Sequence, residues 1–408
     1  MGRWTMRIAG HLALAVALSV LATACTPGPK LVAGPPVIYP LPPDPPRVQF
    51  LKAINTSADV VPKRVGLAAL VFGTKRELER ADILVKPYGV AVHAARIYVC
   101  DQRNADVKVF DVKAGAFSLL SGKKGIMGAP TGICVAEDGY KFVLEAMAGK
   151  IHVFDPSDSY VTTFLLKGTR VGGAVAIGPE LFVTDVRGHR VLVLDRSSGK
   201  TLRTIGAQGQ GPGQFLLPNA IARDAEGNIY VSDHMNFRWQ KLDRTTGKPL
   251  VASGEQGDAY GTFARPRGIA VGPDGLVYVV DAAMELVQMF NQQGRVLMGF
   301  GNFRGAPGFL ELPAGIAVDT SCLPYFRKLI HPCIEPEYLV FVVSQVGDTR
   351  LGVYAFGAPV PGVERPVPPI PKEPTPAPAE PAPKPPTIAP AKPEGKDEPS
   401  APAATPRP

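Results

Sequence analysis

Apolar residues alternate with small or polar ones in short runs from about Pro87 to Phe356, and the runs recur in one order. The segments Pro218-Asn-Ala-Ile-Ala-Arg-Asp-Ala-Glu-Gly-Asn-Ile-Tyr-Val-Ser-Asp233 and Pro266-Arg-Gly-Ile-Ala-Val-Gly-Pro-Asp-Gly-Leu-Val-Tyr-Val-Val-Asp281 show it best. Each is a pair of short strands broken by Gly227 or by Pro273-Asp-Gly275, and a period of two excludes a helix. A third strand follows every pair. The second strand closes on Asp101, Glu145, Asp185, Asp233, Asp281 and Ser344, and ten residues beyond each stand Asp111, Asp155, Asp195, Asp243, Asn291 and Tyr354.

Six copies of one unit imply a repeat architecture. The aligned acids are 44, 40, 48 and 48 residues apart, with 63 to Ser344, which is room for four short strands per copy. Units of that size pack radially, so the fold expected is all-β, a six-bladed β-propeller over residues 47–357. Gly89, Gly132, Gly173, Gly268 and Gly315, with Ala220 in the remaining copy, open the first strands, where backbones converge on the axis. The sixth copy lacks an outer strand after Gly357, and Arg47-Val-Gln-Phe-Leu-Lys-Ala-Ile54 has strand pattern but no blade. It is expected to complete that blade and close the ring, removing an open edge.

The strings Pro-x-Gly-Ile-Ala-Val and Ile-Tyr-Val-x-Asp, with Gly188-His189-Arg190-Val191 in the third copy, resemble the NHL repeat. That resemblance implies a six-bladed propeller and spans about 310 residues of this chain. Glu145 and Ser344 depart from the usual Asp in the looser copies. No Trp-Asp pair supports a WD40 reading.

Arg3 and Arg7 precede an apolar run, Ile8 to Leu21, and then Leu21-Ala-Thr-Ala-Cys25. The arrangement resembles a bacterial lipoprotein signal with its lipobox. It predicts a signal peptide over 1–24, lipidation of Cys25 and a membrane anchor made of acyl chains. Thr26 in place of Asp implies, by resemblance to Gram-negative lipoproteins, sorting to the outer membrane. Nine of the 21 residues from Thr26 to Pro46 are proline, so 25–46 reads as the lipidated Cys and an extended stalk. From Ala358 to Pro408, 19 of 51 residues are proline, no aromatic occurs, and six basic residues balance six acidic ones. Such a segment builds no core, and 358–408 is expected to be a disordered tail. Pro368-Pro-Ile-Pro371 and Pro383-Lys-Pro-Pro386 are its alternative as ligands of a proline-binding partner.

Cysteine usage agrees with export. Cys322 and Cys333 flank Leu323 to Pro332, the insertion that lengthens the sixth copy, and a disulfide between them is expected to pin it. Cys100 and Cys134 lie in neighbouring blades, either as buried thiols or as a bridge. No Cys-x-x-Cys pair suggests haem, zinc or redox chemistry.

Several catalytic signals dissolve under the repeat. Ser198-Gly-Lys-Thr201 ends like a phosphate loop, but Leu194 stands where its first Gly is needed and Thr246-Gly-Lys-Pro249 occupies the same turn one copy later. The row of acids is expected to accept backbone N–H groups rather than to ring a cation. His93, His152, His189 and His234 fall at different places in their repeats, so they form no three-histidine level. Only His189, beside Asp185, matches the position that zinc-holding NHL-type lyases use, and these two are the metal candidates; no catalytic residue is assigned.

The formal charge is +8, and +6 without Arg3 and Arg7. The excess lies in blades three to five, including Arg187, Arg190, Arg203, Arg223, Arg238 and Arg265. His189, Arg190, Phe237 and Arg238 occupy corners whose residue types change from copy to copy, so they are the expected partner-binding set. These readings converge on a lipid-anchored, exported envelope protein acting as a non-catalytic binding or scaffold module, monomeric and without nucleic acid. The resemblance to NHL lipoproteins implies surface or electron-transfer complexes with multihaem cytochromes as the partner class. No cofactor is expected. The alternative is a metal-dependent propeller enzyme, a lyase or lactonase holding zinc or calcium.

Overall fold

The structure, a computed structural model, describes residues 35–61, 82–120 and 125–366. The expected signal peptide over 1–24, Cys25, residues 26–34 and 367–408 of the Pro-rich segments lie outside them. Five four-stranded antiparallel sheets and one five-stranded sheet form six blades in the positions the alternating pattern marks. Blade one is Pro87–His93, Arg96–Asp101, Asp106–Asp111 and Ala116–Leu119. Blades two to five repeat this order, their inner strands being Gly132–Val135, Val171–Ile177, Pro218–Arg223 and Pro266–Val271. The inner strands neighbour one another in a closed ring.

Blade six is Pro313–Asp319, Ile334–Ser344 and Leu351–Pro359, and its fourth strand is Val48–Ala53. Val48 opposes Phe356 and Ala53 opposes Gly352, so the ring closes with a strand from the other end of the chain. One expectation is corrected here. The Pro-rich segment is not stalk throughout, because Ile38–Tyr39 adds a fifth strand on Val48 and Gln49, and Val37, Ile38 and Tyr39 are buried. Three apolar residues together outweigh the prolines around them.

Alternation points one side of each middle strand at each neighbouring blade, which divides the core into inter-blade layers. Phe142, Leu144, Val183 and Leu192 fill the layer between blades two and three, and Tyr230, Trp239, Val279 and Phe290 that between four and five. At the axis the backbones nearly touch. A Cβ on Gly89 would stand 2.7 Å from the Cα of Gly132, and one on Gly315 2.5 Å from the carbonyl oxygen of Tyr88. Those spacings explain the small residues at this level.

The expected disulfide does not form. Cys322 and Cys333 are both free and buried, in separate apolar clusters: Cys322 with Phe326 and Phe341, Cys333 with Ile38 and Ile334. The insertion is ordered by other means. It folds as a short helix, Leu323–Phe326, and a 3-10 turn, Arg327–Leu329, and the buried amide of Gln49 grips it from the closing strand. Gln49 Nε2 donates to the carbonyl of Leu329 at 3.0 Å, and its Oε1 accepts from the backbone N–H of His331 at 2.7 Å. Cys100 and Cys134 are likewise free and buried.

Gln49→Ala would leave the Leu329 carbonyl and the His331 N–H without partners, so it is expected to cost about 1–3 kcal/mol. Thermal unfolding of the variant beside the wild type checks this; an unchanged Tm would show that the insertion is held otherwise.

Candidate functional site: the loop face and the channel mouth

The loops that lead from one blade to the next and the turns between second and third strands gather on one face. The acid that closes the second strand in blades one to five organises this face. Asp101 Oδ2 accepts from the N–H of Val85 at 2.7 Å and its Oδ1 from that of Lys86 at 3.1 Å. Asp281 accepts from Ala264 at 2.8 Å and from Arg265, Asp233 from Leu216 at 2.7 Å, and Glu145 from Ala129 at 3.2 Å and from Gly128. The acids therefore capture the incoming loop as well as their own strand end. Asp185 departs from this: its oxygens take Gly188 N–H at 3.0 Å and Arg190 Nε at 3.2 Å, both in its own turn.

A second layer, seven residues after each acid, escaped the sequence reading. Lys108, His152, Gln240 and Gln288 are buried at this level. Gln240 takes the N–H of Gly213 at 3.0 Å and gives its amide to the carbonyl of Gln214 at 2.8 Å, and Gln288 does the same for Gly261 and Thr262. The loops these two glutamines hold share a spacing, Gly206 to Gly213-Gln-Phe215 and Gly254 to Gly261-Thr-Phe263, which recurs in Gly301 to Gly308-Phe-Leu310, where the Tyr354 hydroxyl donates to the Gly308 carbonyl at 2.5 Å; Phe215, Phe263 and Leu310 are fully buried. That spacing was the available signal. Lys108 instead pairs with Asp106 at 2.7 Å and lies 3.7 Å from Asp101.

His152 is the titratable member of this layer. Its Nδ1 meets Thr163 Oγ1 at 2.8 Å and its Nε2 lies 3.5 Å from Glu145. Burial lowers its pKa, against the opposing pull of Glu145. Burial also lowers that of His234, whose Nδ1 lies 2.9 Å from the carbonyl of Pro266.

The four expected partner-binding residues are not one exposed corner. His189 and Phe237 both adopt left-handed backbone, at φ of 54° and 52°, as Ala105, Gly149 and Glu285 do at the same turn position. One backbone shape thus carries five different side chains. His189 Nδ1 accepts from the N–H of Leu217 at 3.1 Å, which places the ring proton on Nε2 and latches blade three to blade four. Phe237 packs against the core between blades four and five. Arg238 binds Asp233 at 2.9 Å and the carbonyls of Gly211 and Gln214 at 2.9 and 3.0 Å, with its side chain 13% exposed. Arg190, bound to Asp185, is 45% exposed. The difference follows from the loop: residues 206–217 lie over Arg238, whereas the connection to blade three is short. Among the described residues no group of three or more His, Cys, Asp or Glu side chains converges on a metal position. The Ser198-Gly-Lys segment is a turn held by Asp195, whose carboxyl is lowered to about 2 by the hydroxyls of Ser197 and Ser198.

The central channel encloses about 90 Å³ between the inner strands. Tyr88, Thr131, Gly172, Asn219 and Ala314 line its end on this face. Arg267 crosses from blade five to blade one, its guanidinium 5.4 Å above the Tyr88 ring and its Nη1 donating to the Tyr88 hydroxyl at 3.0 Å. Glycine, alanine and aliphatic residues make up most of the wall, a surface that offers few side chains for chemistry.

A family model described as DUF5128, a 6-bladed beta-propeller, matches residues 175–250. No curated protein matches the chain. Among solved structures, a protein of unknown function from Bacteroides thetaiotaomicron is 14% identical with a TM-score of 0.50, covering 76% of this chain and 75% of that one. A streptogramin B lyase is 14% identical with a TM-score of 0.46 (67% and 84% covered), and virginiamycin B lyase from Staphylococcus aureus is 14% identical at 0.47 (67% and 95%). At these identities the likeness is one of fold.

His152 and His234 are expected to make the protein acid-sensitive with a definite sign. Where burial lowers a histidine's pKa, the unfolded chain binds the proton more readily, so stability is lost as pH falls below about 6.5. His152→Gln, which installs the residue found in blades four and five, is expected to retain more of its Tm than the wild type between about pH 7 and pH 5. Calorimetry at both pH values measures this, and parallel losses in the two proteins would contradict it.

Proposed function

We propose that the chain is a lipid-anchored β-propeller of NHL type in the cell envelope, acting as a non-catalytic protein-binding or scaffold module. The observation that carries the reading is the use made of the polar groups around the channel. Asp101, Glu145, Asp233 and Asp281 are spent on backbone N–H groups of neighbouring loops, and His189 on that of Leu217. Groups committed in this way hold a rigid platform, and a rigid platform with variable side chains at its turns suits recognition. Fold alone does not decide function, since propellers host unrelated activities.

In this reading residues 1–24 are a cleaved leader and Cys25 carries the lipid, with placement in the outer membrane of a Gram-negative bacterium. Residues beyond the propeller act as spacer. The partner is an envelope or surface protein, and the cytochrome-containing complexes named by resemblance are the first class to examine.

Elemental analysis of the purified full chain tests the choice between module and enzyme. No stoichiometric zinc or calcium is expected, and a screen of lactones and streptogramin-type substrates should find no turnover. One equivalent of metal lost on His189→Ala, or turnover abolished by that change, would establish the enzyme instead. The anchor has its own test. Wild-type protein is expected in the detergent phase of a cloud-point extraction and Cys25→Ser in the aqueous phase; equal partitioning would remove the lipid from the reading.

A further inference from the structure

The two faces of the propeller treat their arginines differently. On the face formed by the turns between first and second strands, cations pair across blades: Arg96 with Asp158, Arg196 with Asp138 and Arg223 with Glu137. On the loop face two positions recur in each blade, the residue before the aligned Pro87, Pro130, Val171, Pro218, Pro266 or Pro313 and the residue two places after the acid or Ser344. Backbone hydrogen bonds hold them together at the strand end, from Gln102 to Lys86, Val186 to Arg170 and Ala282 to Arg265.

Read around the ring, these positions alternate in chemistry. Blade one presents Lys86 and Arg103, blade three Arg170 and Arg187, and blade five Arg265, all exposed. None of the five has an ion-pair partner among the described residues. Between them blade two presents Met147, blade four Met235 and blade six Val346, with 82, 43 and 45% of their surface exposed. Ala129, Leu217 and Leu312 stand behind these three at the companion position, so the even blades carry no charge there.

We propose that this crown docks an acidic protein surface, whose carboxylates meet blades one, three and five while apolar side chains rest on blades two, four and six. Four of the five cations are arginine, whose planar fork matches a carboxylate in a way a lysine does not. Arginine and methionine are also the residues enriched at protein interfaces, where lysine is depleted. Neutralising a bilayer or a polyanion asks only for charge, whereas alternating sectors fix the rotation of a folded partner about the axis. Arg267 and Tyr88 close the centre of the crown, so the partner lies across the mouth.

The proposal rests on the binding-module reading and names the surface that performs it. The probe is a synthetic peptide alternating glutamate and leucine, measured by titration calorimetry against the full chain. Polyglutamate of equal charge and phosphatidylglycerol vesicles serve as comparisons. The peptide is expected to bind about tenfold more tightly than polyglutamate, and Arg170→Glu with Arg187→Glu to weaken it by about tenfold or more. Met147→Ser with Met235→Ser should weaken the peptide and leave polyglutamate unchanged. All four positions are exposed, and an unaltered circular dichroism spectrum and Tm would confirm that the variants fold. Peptide binding that ignores either double change overturns the proposal, as does vesicle binding that the peptide fails to displace, which would assign the face to lipid. Those outcomes sink the crown alone; the binding-module reading falls only with metal or turnover in the assays above.

Discussion

A carboxylate at the end of the second strand in blades one, two, four and five, taking N–H groups from the loop that enters its blade, is the contact on which the loop face depends. Without it the incoming N–H groups of Lys86, Ala129, Leu216 and Arg265 would lose acceptors in a place only partly open to water. An unmet buried donor costs more than a single hydrogen bond returns, so the acid decides where the loop lies. The loop then decides what the neighbouring turn can expose. Arg238 is covered and Arg190 is exposed because one sits under a long connection and the other does not.

The second layer makes that capture firm. Gln240 and Gln288 each offer a donor and an acceptor from one amide, so a single buried side chain settles two backbone groups of a glycine-rich loop. Lys108 and His152 fill the same level in blades one and two with groups that carry or accept protons. A buried lysine needs close anions, which Asp106 and Asp101 supply, whereas a buried histidine can stay neutral. One repeat position thus takes different groups, and the two blades that place a glutamine there are those entered by a Gly-x-Phe loop.

The ring, its six blades and the strand that closes it were legible because strand period and acid spacing are local, repeated signals. The site was less so. Arg190 and Arg238 occupy equivalent positions, and nothing in the turn itself tells that residues 206–217 fold back over one of them. Sequence distance between Cys322 and Cys333 suggested a bridge, yet each thiol is taken up by a different apolar cluster and Gln49, far away in the chain, holds the loop between them. Ile38–Tyr39 was hidden by proline content, which speaks for the average of a segment and not for three apolar residues inside it. The alternation of cations and methionines is written in the sequence too, but it appears only when two positions per blade are read together around the axis.

The sixth blade joins Val48–Ala53 to Leu351–Pro359, strands that stand far apart in the sequence, near opposite ends of the described residues. Blades one to five can assemble in the order they are made, each from contiguous residues, while the last waits for both ends to be present. Until then the molecule carries an unpaired strand edge and an incomplete ring, a state prone to pairing with other chains. For a chain whose first strand emerges long before its last, completion is a timing problem. The early segment has to be kept from wrong partners through the whole of synthesis, and any event that interrupts the chain late leaves five sound blades and an open seam.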